Sequence, residues 1–297
     1  MVQTIVFNSS NVLTGTNNSK YRFNLAQTTF IKKGCKVAIQ SVTLPYSWYN
    51  ISASIFQNSK FTITFPCSVA GGSTNSISVN VPDGFYTLTQ LNSYLQSIMI
   101  TNGYYLVSGS NNVYFAQFVY NTSLYKIEVD LLPVPTTLGT YTYGTTTAGW
   151  GASSGVGSGL PATGYTPQIT FPVVGGINSI LGFSSNTTIP ATQQTTTQAF
   201  TSTTTPNLTP INSLILLCNL VNNKYSVNNQ TIFALTPNTS YGSNIVVNNS
   251  LTDSFVDIFE GYYNYIDLEF RDQNFNTMFI RDPNLCILML IKDSEEN

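Results

Sequence analysis

Histidine is absent from all 297 residues. That removes Ser-His-Asp triads, Cys–His dyads, imidazole metal ligands and histidine pH switches together. Charge is scarce too. Asp, Glu, Lys and Arg make up 8% of the chain, about a third of the usual share. Between 131 and 223 none of the four occurs, so almost a third of the chain offers no strong acid, base or hard-metal ligand. The sequence therefore argues against an enzyme and implies no cofactor. The 11 basic and 13 acidic residues give a net charge of −2. Nucleic-acid binders carry a basic excess that neutralises phosphates, so direct nucleic-acid binding is not expected. The longest apolar run, 285–291, is seven residues, against the roughly 18–20 that span a bilayer, so no transmembrane segment is expected. The start, Met1-Val-Gln-Thr-Ile-Val-Phe-Asn8, lacks the basic and long apolar regions of a secretory signal. Cys35, Cys67, Cys218 and Cys286 show no CxxC spacing and sit in apolar contexts. They read as buried free thiols from a reducing compartment, with two disulfides as the alternative.

What is present is aromatic, hydroxylic and amidic. Apolar residues reach 42%, and Ser, Thr and Asn together number 102. This balance suits short strands joined by polar, uncharged loops. Asn-x-Ser/Thr triplets such as Asn50-Ile-Ser are expected by chance at this composition and support no secretion claim. Period-two alternation recurs. Phe61, Ile63 and Phe65 alternate with polar neighbours, as do Ile77, Val79 and Val81, then Tyr125, Ile127, Val129 and Leu131, then Ile266, Leu268 and Phe270. Each set predicts a half-buried strand of an antiparallel sheet. Further strands are expected at 2–7, 20–26, 36–44, 104–107, 113–120, 198–204, 213–220, 231–236 and 243–248. Two segments, 214–218 and 285–291, are apolar on both faces and need a cover, from the same chain or from another subunit.

One helix is expected after the turn Pro82-Asp-Gly-Phe-Tyr86. Thr87 can cap it, Gln90 completes a capping box, and Leu88, Leu91, Leu95 and Ile98 form a stripe for packing on a sheet. Gly103 is a natural stop. A shorter helix is expected at 177–181. The segments 135–167 and 184–209 are rich in Gly, Thr and Ser and read as long loops. The expected fold is all-β: a single antiparallel β-sandwich (jelly roll) over 1–297, with one short covering helix and long loop insertions, chiefly a Gly/Thr/Ser-rich one at about 135–205.

The chemistry-bearing constellations are few. Asp267 and Glu269 share a strand face, as do Glu128 and Asp130, a pattern compatible with calcium binding or glycosidase chemistry. A solvated face, with Lys126 and Arg271 pairing alongside, explains them more simply. The glycines of Gly155-Val-Gly-Ser-Gly159 lack the Lys and the strand–helix context of a phosphate loop. Tyr46-Ser-Trp-Tyr49 and Gly261-Tyr-Tyr-Asn-Tyr265 could stack on sugars, but in an all-β chain such clusters more often build cores and interfaces. Charge is segregated: Lys20, Arg22, Lys32, Lys33 and Lys36 lie within 20–36, whereas ten of the 13 acids lie within 253–296. These clusters meet in one sheet or face each other between subunits, and a phosphate-binding role for the basic cluster is a third option. On the second reading Lys20, Arg22, Lys32, Lys33, Lys36, Asp257, Glu260, Asp267 and Glu269 are subunit-interface candidates.

An ordered set of segments carries a resemblance. It comprises Leu44-Pro-Tyr-Ser-Trp-Tyr-Asn-Ile51, Val81-Pro-Asp-Gly-Phe-Tyr-Thr-Leu-Thr-Gln-Leu-Asn-Ser-Tyr-Leu95, Leu217-Cys-Asn-Leu-Val-Asn-Asn-Lys-Tyr-Ser226, Glu260-Gly-Tyr-Tyr-Asn-Tyr-Ile-Asp-Leu-Glu-Phe270 and Asp282-Pro-Asn-Leu-Cys-Ile-Leu288. Together these resemble the minor capsid, or penton, proteins of virophages and related polinton-like DNA viruses, over about 45–95 and 210–292. The resemblance implies a jelly roll, a homopentameric ring at the five-fold vertices of an icosahedral shell, a larger double jelly-roll major capsid protein as partner, and a place in the virion after assembly in the host cytoplasm. It implies no active site. A glycan- or receptor-binding jelly roll is the alternative, motivated by the Tyr-rich loops and acidic pairs.

Overall fold

In the computed structural model, which describes residues 2–68, 74–249 and 254–293, strands dominate. Helices among these residues are α1, Leu88–Thr101, and the four-residue turn Asn178–Leu181, with two short 3-10 turns. All strand pairings between named elements are antiparallel. The all-β expectation holds.

The chain forms two compact units. Unit 1 joins Met1–Tyr49 to Ile211–Asn297, and unit 2 is Asn50–Pro210. This differs from the single domain with an insertion at 135–205: the inserted body starts at Asn50. Strands Lys60–Pro66 and Thr74–Asn80 pair with each other and with Gln168–Phe171, inside unit 2. Alternation reveals that such strands have one wet face; it does not say which sheet they join.

Unit 1 contains β1 (Val2–Asn8), β2 (Lys20–Ile31), β3 (Lys36–Pro45), β4 (Leu214–Cys218), β5 (Thr231–Leu235), β6 (Asn244–Asn248), β7 (Gly261–Asp272) and β8 (Cys286–Lys292). One sheet runs β1-β8-β3-β6, with Val256–Asp257 added to β3; the other runs β5-β4-β7-β2. Eight strands crossing between two four-stranded sheets in this order make a jelly roll. The alternating apolar residues point inward. Phe7, Tyr21, Ile39, Val42, Leu216, Leu268, Phe270, Ile287 and Met289 are all at most 1% exposed, each worth about 1.5–3 kcal/mol of apolar burial. The two doubly apolar segments become β4 and β8, each flanked by strands on both sides. Leu217 and Leu290 are buried, yet Val6, Val246 and Cys286, on the same outward side as Leu290, remain exposed, so cover on the β1-β8-β3-β6 sheet is partial.

Unit 2 has a four-stranded sheet (Thr187–Ile189, Gln168–Phe171, Lys60–Pro66, Thr74–Asn80), a three-stranded sheet (Gln198–Thr201, Lys126–Leu131, Ala116–Asn121) and a smaller one (Thr142–Tyr143, Leu106–Ser108, Asn111–Val113). Helix α1 forms as its residues dictate. Thr87 Oγ1 accepts from Gln90 N–H at 3.3 Å, and Gln90 Oε1 accepts from Thr87 N–H at 2.8 Å, the two halves of the expected capping box. Leu91, Leu95 and Met99 are buried. Asn92 fixes the helix on the sheet: its amide bonds the Phe118 backbone both as donor and as acceptor.

The uncharged segment expected as a long loop at 135–167 is packed rather than projecting. Trp150, 1% exposed, meets Phe65, Tyr104 and Phe115 edge-on at 5.3–6.0 Å, and its indole N–H donates to the Pro66 carbonyl at 2.8 Å. Its approach depends on two glycines. Gly103 and Gly149 both have positive φ, and a Cβ on Gly103 would collide with the Ala148 carbonyl. The ends of unit 2 are latched. The buried Asn50 side chain donates to the carbonyls of Leu208 and Tyr86, both at 2.8 Å, and accepts from Tyr86 N–H.

Candidate functional site

The opposed charge clusters meet within unit 1, chiefly in the sheet where β7 pairs with β2. Pairing of β7 with β2 puts Asp267 opposite Arg22 and Glu269 opposite Lys20. Arg22 grips Asp267 with two charge-assisted hydrogen bonds of 2.7 and 2.8 Å, and Lys20 adds an ion pair at 3.2 Å. Asp267 is only 7% exposed. Burial pushes its carboxyl up, but the hydrogen bonds and charges of Arg22 and Lys20 more than reverse this and hold it below the usual carboxylate range. Glu269 pairs with Arg271 on its own strand at 2.5 Å. A looser pair joins Lys36 to Asp257 at 3.8 Å, both well exposed. Lys32, Lys33 and Glu260 are exposed, with no ion pair among the described residues.

These geometries also answer the paired-carboxylate readings. Asp267 and Glu269 are neutralised by cations rather than solvated. In unit 2, Glu128 accepts from Asn121 at 2.7 Å and from Thr201 at 3.1 Å. Lys126, expected to pair with these acids, instead donates to the carbonyls of Ser202 and Thr203 at 2.9 and 2.7 Å. Among the described residues no group of three or more Cys, Asp or Glu is placed to hold a metal ion, and no helix is long and apolar enough to cross a membrane.

The aromatic clusters split. Tyr46 and Trp48 are buried against each other, with centroids 4.4 Å apart, and form core rather than a sugar platform. Tyr262 and Tyr265 are exposed. Tyr265 carries the Arg22 guanidinium over its ring at 3.8 Å, which leaves that face unavailable for stacking. Tyr262, 76% exposed, leans on Phe30, 45% exposed, its direct cross-strand partner, at 4.8 Å. Tyr262 lies in a motif the sequence singled out; Phe30 had no signal, being one apolar residue at a strand end.

All four cysteines are free thiols. Cys35, Cys67 and Cys218 are buried as expected; Cys286 is exposed. Cys286 lies on the outward side of β8, level with Asn8 and Thr43, where a strand apolar on both faces still presents one to solvent. Burial pushes the Cys218 thiol up to about 12 and makes it inert.

Two hollows line the opposite edge of the sandwich. One, of about 450 Å³, lies between β5 and β3, walled by Ile39, Ile232, Phe233, Ala234, Phe255 and Val256. The second, of about 560 Å³, shares Asn223 with it and is bordered by Lys224 and Phe275. Sequence reasoning had no signal for either: the first brings together Ile39, 231–234 and 254–256, far apart in the chain, and the second sets Phe275 against the loop 223–229.

No protein-family model and no curated protein matches the chain. Among solved structures, the mavirus penton protein aligns over 99% of this chain and 98% of its own, at 10% sequence identity and a TM-score of 0.43.

Proposed function

We propose that this chain is a structural protein of a viral capsid. More specifically, it is a penton whose copies close into a homopentameric ring at the five-fold vertices of an icosahedral shell, seated against a larger major capsid protein of the same virion. The observation that carries this reading is the order β1-β8-β3-β6 and β5-β4-β7-β2 of unit 1. Jelly rolls of this kind serve as capsid modules, lectins and cupins. A cupin metal centre needs histidines, and the chain has none. The lectin alternative loses two of its sugar-stacking candidates, because Tyr46 and Trp48 are core. A closed ring needs two different complementary surfaces on each subunit. Of the candidate interface charges, Lys20, Arg22, Asp267 and Glu269 already have partners in their own chain, whereas Lys32, Lys33 and Glu260 are available to a neighbour. The test is cryo-electron microscopy of assembled particles. Density for both units at each five-fold vertex is expected, and density only elsewhere rejects the role.

A further inference from the structure

We infer that neighbouring copies join edge to edge: β6 of one copy pairs antiparallel with β1 of the next, so that the β1-β8-β3-β6 sheet runs on through the contact. The inference rests on the ring reading above and names the surfaces that close the ring.

Strands β1 and β6 are the two outer strands of that sheet, each paired on one side only. Hydrogen bonds show which residues address the open edges. On β1 the Asn8 N–H turns away from β8 to bond Asn11 Oδ1 at 2.9 Å, so by alternation Val2, Thr4 and Val6 also aim their backbone groups off the sheet. Beyond β6 the Asn249 N–H bonds the Gln40 carbonyl at 2.8 Å. Ile245 and Val247 therefore address β3, and Asn244, Val246 and Asn248 address the open edge. Among the described residues the backbone groups on these two edges, from Val2 to Val6 and from Asn244 to Asn248, have no partner.

Folds blunt such edges with charge, proline or bulges. The other sheet does so. Its outer strand β2 carries Lys20 and Arg22, and its residues 25–28 bulge opposite one residue of β7; its other outer strand, β5, bulges at Ile232. In contrast β1, Val-Gln-Thr-Ile-Val-Phe-Asn, and β6, Asn-Ile-Val-Val-Asn, have no charge and no proline, and both keep unbroken register with their neighbours. They are edges left fit for pairing.

The geometry commits them to a second copy. Within one chain they cannot meet, because β8 and β3 lie between them, three strand spacings or about 14 Å. Three antiparallel steps make β1 and β6 run in opposite directions. A copy related by rotation about an axis along the strands thus presents β1 antiparallel to β6 without being inverted, the head-to-tail relation of a closed ring. The faces match as well. Val2, Thr4, Val6, Asn244, Val246 and Asn248 all expose their side chains, so directly opposed residues fall on one face, as antiparallel pairing requires. That face then joins Val6 of one copy to the patch around Val246 of the next.

The experiment uses the full chain, sized by mass photometry across a concentration series and imaged by cryo-electron microscopy in assembled particles. Thr4→Pro and Val246→Pro each remove an N–H that the subunit's own fold leaves unused, a position where proline is tolerated. Each should weaken ring association about tenfold or more, with melting close to wild type. Should proline unsettle a strand, lysine at the same exposed positions asks the same question. Thr4→Lys with Val246→Glu should associate about fivefold more tightly than Thr4→Lys with Val246→Lys, because unlike charges then meet across the contact. In particles, β1 of one copy should lie about 4.8 Å from β6 of its neighbour, and this spacing decides the matter if the chain is monomeric in solution. Strands held apart at an occupied vertex overturn the contact and leave the ring reading standing. Impairment by the β1 variants alone, or by the β6 variants alone, also overturns it, since that edge then meets a different strand. If the wild type neither forms rings in solution nor occupies the vertex, the ring reading falls and this contact with it.

Discussion

Unit 1 and unit 2 solve the same folding problem with different materials. Unit 1 holds nine of the 11 cations and ten of the 13 acids, and ties its outer surfaces with ion pairs such as Arg22–Asp267 and Arg271–Glu269. Unit 2, the larger in residues, has five charged side chains: Lys60, Asp83, Lys126, Glu128 and Asp130. Its polar groups pair as neutral hydroxyls and amides. Thr64 bonds Ser76, and Thr170 bonds Thr188, each across a strand pair. Even Asp83 is absorbed locally, accepting from Ser52 Oγ and Ala53 N–H at 2.7 Å each. The lesson is that charge is dispensable for covering a β fold. A surface of Thr, Ser and Asn satisfies its own strands, whereas charge is concentrated in the unit for which a subunit contact is proposed.

The comparison can be broken at several points. Trp150→Ala should have the largest effect, costing about 3–5 kcal/mol through a cavity and a lost indole hydrogen bond. In urea unfolding followed by residue-specific NMR it should shift the unit 2 transition and leave unit 1 in place; equal shifts in both would show that the units unfold as one. Asp267→Ala should cost about 1–3 kcal/mol in unit 1, because Arg22 and Lys20 lose their common acceptor. The same residue makes unit 1 acid-sensitive. Its folded pKa is depressed, so its stabilisation is fully present above the unfolded value of about 3.9 and fades as pH falls through the lower folded value. Melting of wild type against Asp267→Ala between pH 2 and 6 should therefore converge at the acid end, and a constant gap would contradict the assignment. Thr87→Ala removes the cap of α1 and should lower unit 2 stability by about 1 kcal/mol, read from earlier loss of helical amide protection. The smallest effect is ionic. Raising salt from 0.1 to 1 M shortens the screening length from about 10 to 3 Å. It should lower the unit 1 midpoint by a degree or two and leave unit 2 unmoved. An equal response would mean that the few charges of unit 2 matter more than their number suggests.

Much of this was legible in the sequence. The strands showed through alternation, and α1 through Thr87, Gln90 and its leucine stripe, because these signals are local. The jelly roll followed from the strand count and the resemblance together. Two things stayed hidden because they are non-local. The strands at 60–66 and 74–80 have the same periodicity as those of unit 1, so the boundary at Asn50 was invisible. Trp150 sits alone among Gly, Thr and Ser, and only its meeting with Phe65, Tyr104 and Phe115 makes that stretch core. At the candidate site, the charge segregation was plain, and it resolved into intramolecular pairs where β2 and β7 lie in register. Glu260 and the Tyr262 motif were visible, but Phe30 and the hollow beside β5 required the fold.

The latch at Asn50 has a further consequence. Because Asn50 bonds the carbonyl of Leu208, the two ends of unit 2 are held side by side. Every strand pairing of the jelly roll lies within unit 1, so excising unit 2 and rejoining the chain with a short linker removes no strand and breaks no strand pairing of that fold.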